Sequence, residues 1–165
     1  MSWDDAWLGV RLLLVLAAAN TSPLVAKRWL GDRWNAPLDQ GLLFFDGRPV
    51  LGPKKTVRGL LAAIAAGAVV APLLQLPFLL GAAIGAWAMV GDALSSFVKR
   101  RLDIAPSGRA FGLDQIPEAL LPLLAARTTL HLSPEFIATL TLVFFLLQIP
   151  LARWTHRLGL RDEDH

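Results

Sequence analysis

The chain has 165 residues, of which 55% are hydrophobic and 18% charged, with a mean hydropathy of +0.51 and a formal net charge of +3. Soluble domains carry about 45–50% apolar and about 25% charged residues, so both fractions lean towards lipid. The absence of cysteine excludes disulfide frameworks, thiolate metal sites and cysteine nucleophiles, and three scattered histidines (His131, His156 and His165) do not make a histidine-built metal site.

This is the composition of a small integral membrane protein, with residues 1–165 as a single membrane domain. The first apolar segment, Trp7–Ala19, is interrupted only by Arg11, which can snorkel to the surface, and predicts a span near residues 5–21. A secretory signal would need a positive start, and this chain begins Met1-Ser2-Trp3-Asp4-Asp5. The longest apolar tract runs from Val57 to Gly91 and contains Pro72, Gln75 and Pro77. As one helix it would be about 50 Å long, against a bilayer core about 30 Å thick. It is therefore read as two spans, near 57–74 and 76–97, joined by a tight proline-containing turn. Residues 116–132, which include Glu118, Pro122, Arg127 and His131, predict a fourth span. Ser133-Pro134-Glu135 is a helix-start signal for a fifth, near 136–153. The fold class expected is all-α, a polytopic membrane protein with about five transmembrane helices and two cytoplasmic polar loops.

Charge sets the orientation. Lys27, Arg28, Arg33, Arg48, Lys54, Lys55 and Arg58 lie in or beside the first loop, Lys99, Arg100, Arg101 and Arg109 in the third, and Arg153, Arg157 and Arg161 in the C-terminal tail. With five spans these fall on one side, which the positive-inside rule makes cytoplasmic, leaving the N-terminus outside and the C-terminus inside the cytoplasmic membrane. Trp3 and Trp7 mark one interface, Trp29, Trp34 and Trp154 the other, and Trp87 lies within a span as packing. No internal repeat suggests an inverted-repeat transporter.

Residues able to carry chemistry gather in the two cytoplasmic loops. On a helix, Asp92, Ser95, Ser96 and Lys99 share a face, with Arg100 beside it and Arg101 pointing away. A carboxylate one turn from hydroxyls and two turns from a cation suits a metal-bound phosphate. The bland alternative is a helix end with membrane anchors, although an acid near membrane depth is costly and tends to be functional. Lys55 and Arg58 sit on the first turn of a span, beside the positive end of the helix, as an anion site or an interfacial anchor. Asp114 is either an N-cap or a second metal ligand facing Asp92, with Glu118 one turn later. Asn20, followed by Pro23, is either a helix stop or a hydrogen-bonding group for a ligand. Asp46-Gly47-Arg48 resembles the start of the CDP-alcohol phosphotransferase signature, but the later aspartates are missing. No P-loop is present in the sequence.

Four motifs in order carry a more specific resemblance. They are Ala19-Asn20 with Pro23, Gly52 through Lys55-Thr56-Val57-Arg58-Gly59, Gly91-Asp92 with Ser96-Phe97 and Lys99-Arg100-Arg101, and Leu113-Asp114-Gln115. Together they resemble the CDP-archaeol synthase family, membrane cytidylyltransferases distantly similar to the CDP-diacylglycerol synthases. The resemblance implies a CTP-dependent enzyme that activates a phosphatidate-type lipid, archaetidate-like or diacyl, to CDP-lipid with release of pyrophosphate. It implies magnesium held by Asp92 and Asp114, and catalytic roles for Asp92, Lys99 and Arg100. Substrate contacts would come from Asn20, Lys55, Thr56, Arg58 and Ser96. The expected partners are CTP, the lipid and the bilayer, with no nucleic acid. One departure stands out: the acid that such enzymes carry shortly after the Asp-Gln pair is replaced here by Ile116-Pro117-Glu118, so Glu118 substitutes with a shift or the second metal position is altered. The competing reading is a non-catalytic membrane scaffold or small transport subunit that binds anionic lipid. Such a protein needs the basic loops but neither Asp92 nor Asp114.

Overall fold

The computed structural model describes residues 3–104 and 112–157, and side chains among them as far as residue 148; Arg109 and Arg161 lie outside the described residues, as do the side chains of Arg153, Trp154 and Arg157. The described residues form five helices: α1 (Trp3–Leu30), α2 (Val57–Leu73), α3 (Phe78–Arg101), α4 (Gln115–Leu130) and α5 (Pro134–Arg157). They pack in an up-and-down order, α2 between α1 and α3, α4 on α3, and α5 chiefly on α4.

α1 differs most from expectation. It runs through Asn20 and Pro23 to Leu30, past the expected end at residue 21, so Asn20 is not a helix stop. A proline inside a helix frees the carbonyl four residues earlier. Here that carbonyl is Ala19 O, and the Ser22 hydroxyl donates to it at 2.9 Å. Asn20 Nδ2 likewise donates to Leu16 O at 3.0 Å. Polar side chains thus keep the backbone satisfied where water is scarce. Arg11, also on α1, donates to Gln75 Oε1 at 3.1 Å and lies over the Trp7 ring at 5.3 Å.

The other helix starts follow local chemistry. Thr56 is the N-cap of α2, its hydroxyl accepting from Gly59 N at 3.2 Å. Ser133 Oγ accepts from Phe136 N at 3.2 Å at the start of α5. Side-chain oxygens at this position satisfy amides that the first turn leaves unpaired. α2 ends in a turn in which Gln75 takes a left-handed φ of 59° before Pro77.

Packing is close where glycines meet. A Cβ on Gly67 would run into the Gly81 carbonyl, and one on Gly85 into the Ala63 carbonyl, so α2 and α3 touch backbone to backbone. Gly91 of α3 lies in the same way against Pro117 and Glu118 of α4. Such small-residue contacts are how helices associate in lipid, where no hydrophobic force separates them from the tails. The interior holds Leu12, Val15, Leu16, Ile84, Leu123 and Phe144. The exterior is also apolar: Leu14, Leu61, Val69, Leu79, Val90, Leu142 and Leu146 are all exposed. Trp87, expected as packing, has 44% of its surface exposed and faces outward. Apolar residues on both faces are what a bundle solvated by lipid requires.

Between α1 and α2, residues 31–56 fold as a compact loop with two isolated β-bridges, Pro37 to Thr56 and Leu43 to Pro49. Asp39 is its staple. Its buried carboxylate accepts from Leu51 N (2.8 Å), Gly52 N (2.9 Å) and Gly41 N (3.1 Å). Burial pushes this carboxyl up, but the amides of Gly52, Leu51 and Gly41 together outweigh it and hold the group below its ordinary value of 3.8. A depressed folded-state pKa gives stability that is complete above the unfolded value and is lost as pH falls through the folded one. Asp39→Asn should therefore lower stability by about 1–2 kcal/mol near neutrality, and the gap to wild type should close below about pH 4. Thermal midpoints in detergent from acid to neutral pH check this; a gap independent of pH would deny Asp39 the role.

Candidate active site

The C-terminal ends of α1 and α3 and the N-terminal ends of α2 and α4 meet at one end of the bundle, with the first loop across them. Two ion pairs link these elements. Lys55, just before α2, places its ammonium 2.6 Å from both carboxylate oxygens of Asp92 on α3. Lys99, two turns further along α3, reaches Asp114 Oδ1, just before α4, at 2.7 Å. All four side chains are mostly buried, from 10% exposed for Lys99 to 24% for Asp114. Glu118 completes the group, beside Asp92 where α3 meets α4 and within electrostatic range of Asp114 and Lys55. Arg100, 8% exposed, feels the Asp114 charge, and its buried Nε has no hydrogen-bond partner.

The helix geometry explains the convergence. Asp92 and Lys99 are seven residues apart and Asp114 and Glu118 four, so each pair shares a helix face. Antiparallel packing then sets Asp92 against Glu118 and Lys99 against Asp114. The glycine at Gly91 permits this, since its α-carbon is where α3 meets the α4 backbone.

Of the residues expected in the site, the structure brings together Lys55, Asp92, Lys99, Arg100 and Asp114. Ser96 is buried on the same face of α3, while the neighbouring Ser95 hydroxyl donates back to Gly91 O at 2.9 Å. Three others have different work. Arg58, expected at the substrate, turns its guanidinium to Gly31 O, Arg33 O (3.3 Å) and Asn35 Oδ1 (3.2 Å), clamping the first loop to the end of α1. Thr56 caps α2. Asn20 bonds within its own helix and lies half-buried. Asp114 is at the N-cap position of α4 but makes no capping hydrogen bond, because its carboxylate is turned to Lys99. Glu118 is the residue that spacing alone undervalued; its position one turn after Asp114 was the available signal.

The Asp46-Gly47-Arg48 motif also finds a purpose. Arg48 donates to the carbonyls of Arg100 (3.1 Å) and Arg101 (3.0 Å) at the end of α3, and Arg101 donates back to Pro49 O at 2.8 Å. The Arg101 guanidinium lies over both the Phe44 and Phe97 rings, 4.8 and 4.9 Å from their centroids, and pairs with Asp46 at 3.0 Å. Arg101 thus points away from the face that bears Asp92 and Lys99, as helical spacing suggests, and is held by the first loop rather than by solvent. It fastens the first loop to the helix that bears Lys99 and Arg100.

Among the described residues, no three His, Asp or Glu side chains are grouped so as to hold a metal by themselves. Magnesium does not require that: it is usually bound by one or two carboxylates together with substrate phosphates and water. The hard oxygen donors of Asp92 and Asp114 fit such an ion, each already against a cation at 2.6–2.7 Å.

A family model described as CarS-like CDP-archaeol synthase matches residues 10–164. The chain belongs to the CDP-archaeol synthase family. It is 42% identical over 123 residues to the CDP-archaeol synthase of Hyperthermus butylicus, covering 69% of this chain and 70% of that one. It is 33% identical over 154 residues to the synthases of Saccharolobus islandicus and Saccharolobus solfataricus, covering 87% of each chain. A solved structure of an intramembrane enzyme for archaeal membrane lipid biosynthesis superposes with a TM-score of 0.74 at 33% identity, over 87% of this chain and 91% of that one. The chain is thus an enzyme, a membrane cytidylyltransferase by family, and the scaffold reading is set aside.

Proposed function

We propose that the enzyme transfers a cytidylyl group from CTP to the phosphate of an archaetidate-type lipid, giving CDP-lipid and pyrophosphate. The observation that carries this reading is the juxtaposition of Lys55, Lys99 and Arg100 with Asp92, Asp114 and Glu118 at one end of an apolar bundle. The family relatives, named for CDP-archaeol synthesis, support it.

In this reaction a lipid phosphate oxygen attacks the α-phosphorus of CTP. The new P–O bond forms as the bond to the β-phosphate oxygen breaks, and pyrophosphate leaves with that electron pair. Both reactants are anions, so repulsion and alignment dominate the barrier. Lys55, Lys99 and Arg100 offset the repulsion by binding phosphate oxygens in a mostly buried site. Asp92 and Asp114 would hold magnesium, which supplies charge neutralisation across the phosphates when bound. Glu118 adds an acid beside Asp92 where α3 meets α4. A lipid phosphate is ionised at neutral pH, so no strong general base is required. Lys99→Ala should raise the KM for CTP by about ten-fold or more, with a smaller effect on thermal stability. An unchanged dependence on CTP would remove Lys99 from the site.

The site end of the bundle faces the cytoplasm on this reading, with the N-terminus outside and the C-terminus inside. Lys27, Arg28, Lys54, Lys99 and Arg101 all belong to that end, which the positive-inside rule supports. Because the chain lacks cysteine, single Asp4→Cys and Lys54→Cys variants report orientation directly. An impermeant maleimide should label Asp4→Cys in intact cells and Lys54→Cys only after lysis; the opposite pattern would invert the topology.

A further inference from the structure

Both aspartates suited to a metal are already matched by ammonium groups. Lys55 is the closer mimic of a bound ion, since its nitrogen lies 2.6 Å from each oxygen of Asp92, between the two arms of the carboxylate. The surroundings make exchange of this cation a matter of charge balance. Asp92 and Asp114 are matched by Lys55 and Lys99, with Arg100 and Glu118 beside them, within one mostly buried cluster.

A magnesium ion arriving alone must displace Lys55 from Asp92. That leaves a half-buried ammonium unpaired beside a divalent cation. A nucleotide triphosphate arriving alone sets several negative charges beside Asp92 and Asp114, whose lysines are engaged. Each event separates charge in a medium of low dielectric, where a unit interaction at contact is worth several-fold more than in water. When both arrive together the balance is kept. The carboxylate exchanges an ammonium for the metal, and the flexible lysine stem carries the freed ammonium to the phosphates.

Resting on the cytidylyltransferase reading, we propose that Lys55 is a resident counter-cation that holds the place of the metal on Asp92, so that magnesium and CTP enter the site as one unit and neither binds well alone.

Binding to the detergent-purified full chain tests this through thermal midpoint and titration calorimetry, independently of turnover. The probes are magnesium alone at matched ionic strength, CTP with a chelator, and the two together. Wild type should respond only to the combination. Lys55→Met should bind magnesium alone at least about ten-fold more tightly than wild type does, and bind magnesium plus CTP more weakly. The gained magnesium affinity should vanish in Lys55→Met/Asp92→Asn, which assigns it to Asp92. Lys55→Arg should keep the wild-type coupling, and Lys55→Gln serves in place of the methionine variant if that one does not fold. Stabilisation of wild type by magnesium plus CTP, with equal affinity for magnesium alone in wild type and Lys55→Met, would overturn the place-holding role and leave the reaction standing. No response of wild type to the combination would overturn both.

Discussion

Asp92→Asn should lower cytidylyl transfer by at least about 10²-fold while the variant still inserts and folds. The substitution keeps the size of the side chain and its capacity to hydrogen-bond its neighbours. It removes the negative charge that Lys55 balances and that a metal would need. Two consequences for stability oppose each other: the pair with Lys55 weakens, and the close approach of two carboxyl groups is relieved. The fold should therefore survive where the chemistry does not. Turnover of purified variant, with circular dichroism and gel filtration as checks on folding, measures both. Full activity in a folded variant would remove Asp92 from the mechanism.

Gly91→Ala should be nearly as damaging without touching a charge. A Cβ there would run into the Pro117 carbonyl and come within 2.8 Å of Glu118 N. Both are backbone atoms, so α3 and α4 must separate. Overpacking of this kind costs about 1–3 kcal/mol. The separation falls at the contact that sets Asp92 against Glu118, and a displacement of about 1 Å in a catalytic constellation can cost about 10²-fold in rate. A lower thermal midpoint together with at least a ten-fold loss of turnover is the expected result. Wild-type turnover would show that the α3–α4 spacing does not set the geometry of the carboxyl groups.

These two residues illustrate how much the sequence disclosed. Asp92 was legible because an acid at the end of an apolar run has no cheap structural explanation, and helical spacing put Lys99 on its face. The partners were not legible. That Lys55 meets Asp92 and Lys99 meets Asp114 depends on how three helices pack, which spacing along a single helix does not contain. The contacts of Arg58 and Thr56 were not legible either, because a basic or hydroxyl residue beside a helix N-terminus serves a ligand and a loop equally well; here the loop carbonyls and the Gly59 amide take them. Asn20 with Pro23 misled because a helix break is the usual outcome in water, whereas Ser22 repairs the break in this helix. The setting of Arg101 is not legible in the sequence, because the aromatic pair that receives it, Phe44 and Phe97, is brought together only by the folded loop.

The most direct measurement is the reaction itself. Detergent-purified protein is given labelled CTP and magnesium with archaetidic acid or with diacyl phosphatidic acid in separate reactions, and Asp92→Asn is run alongside. The account predicts labelled CDP-lipid from the archaetidic acid and at most a trace from the variant. No CDP-lipid from either substrate, from protein shown to be folded, would contradict it.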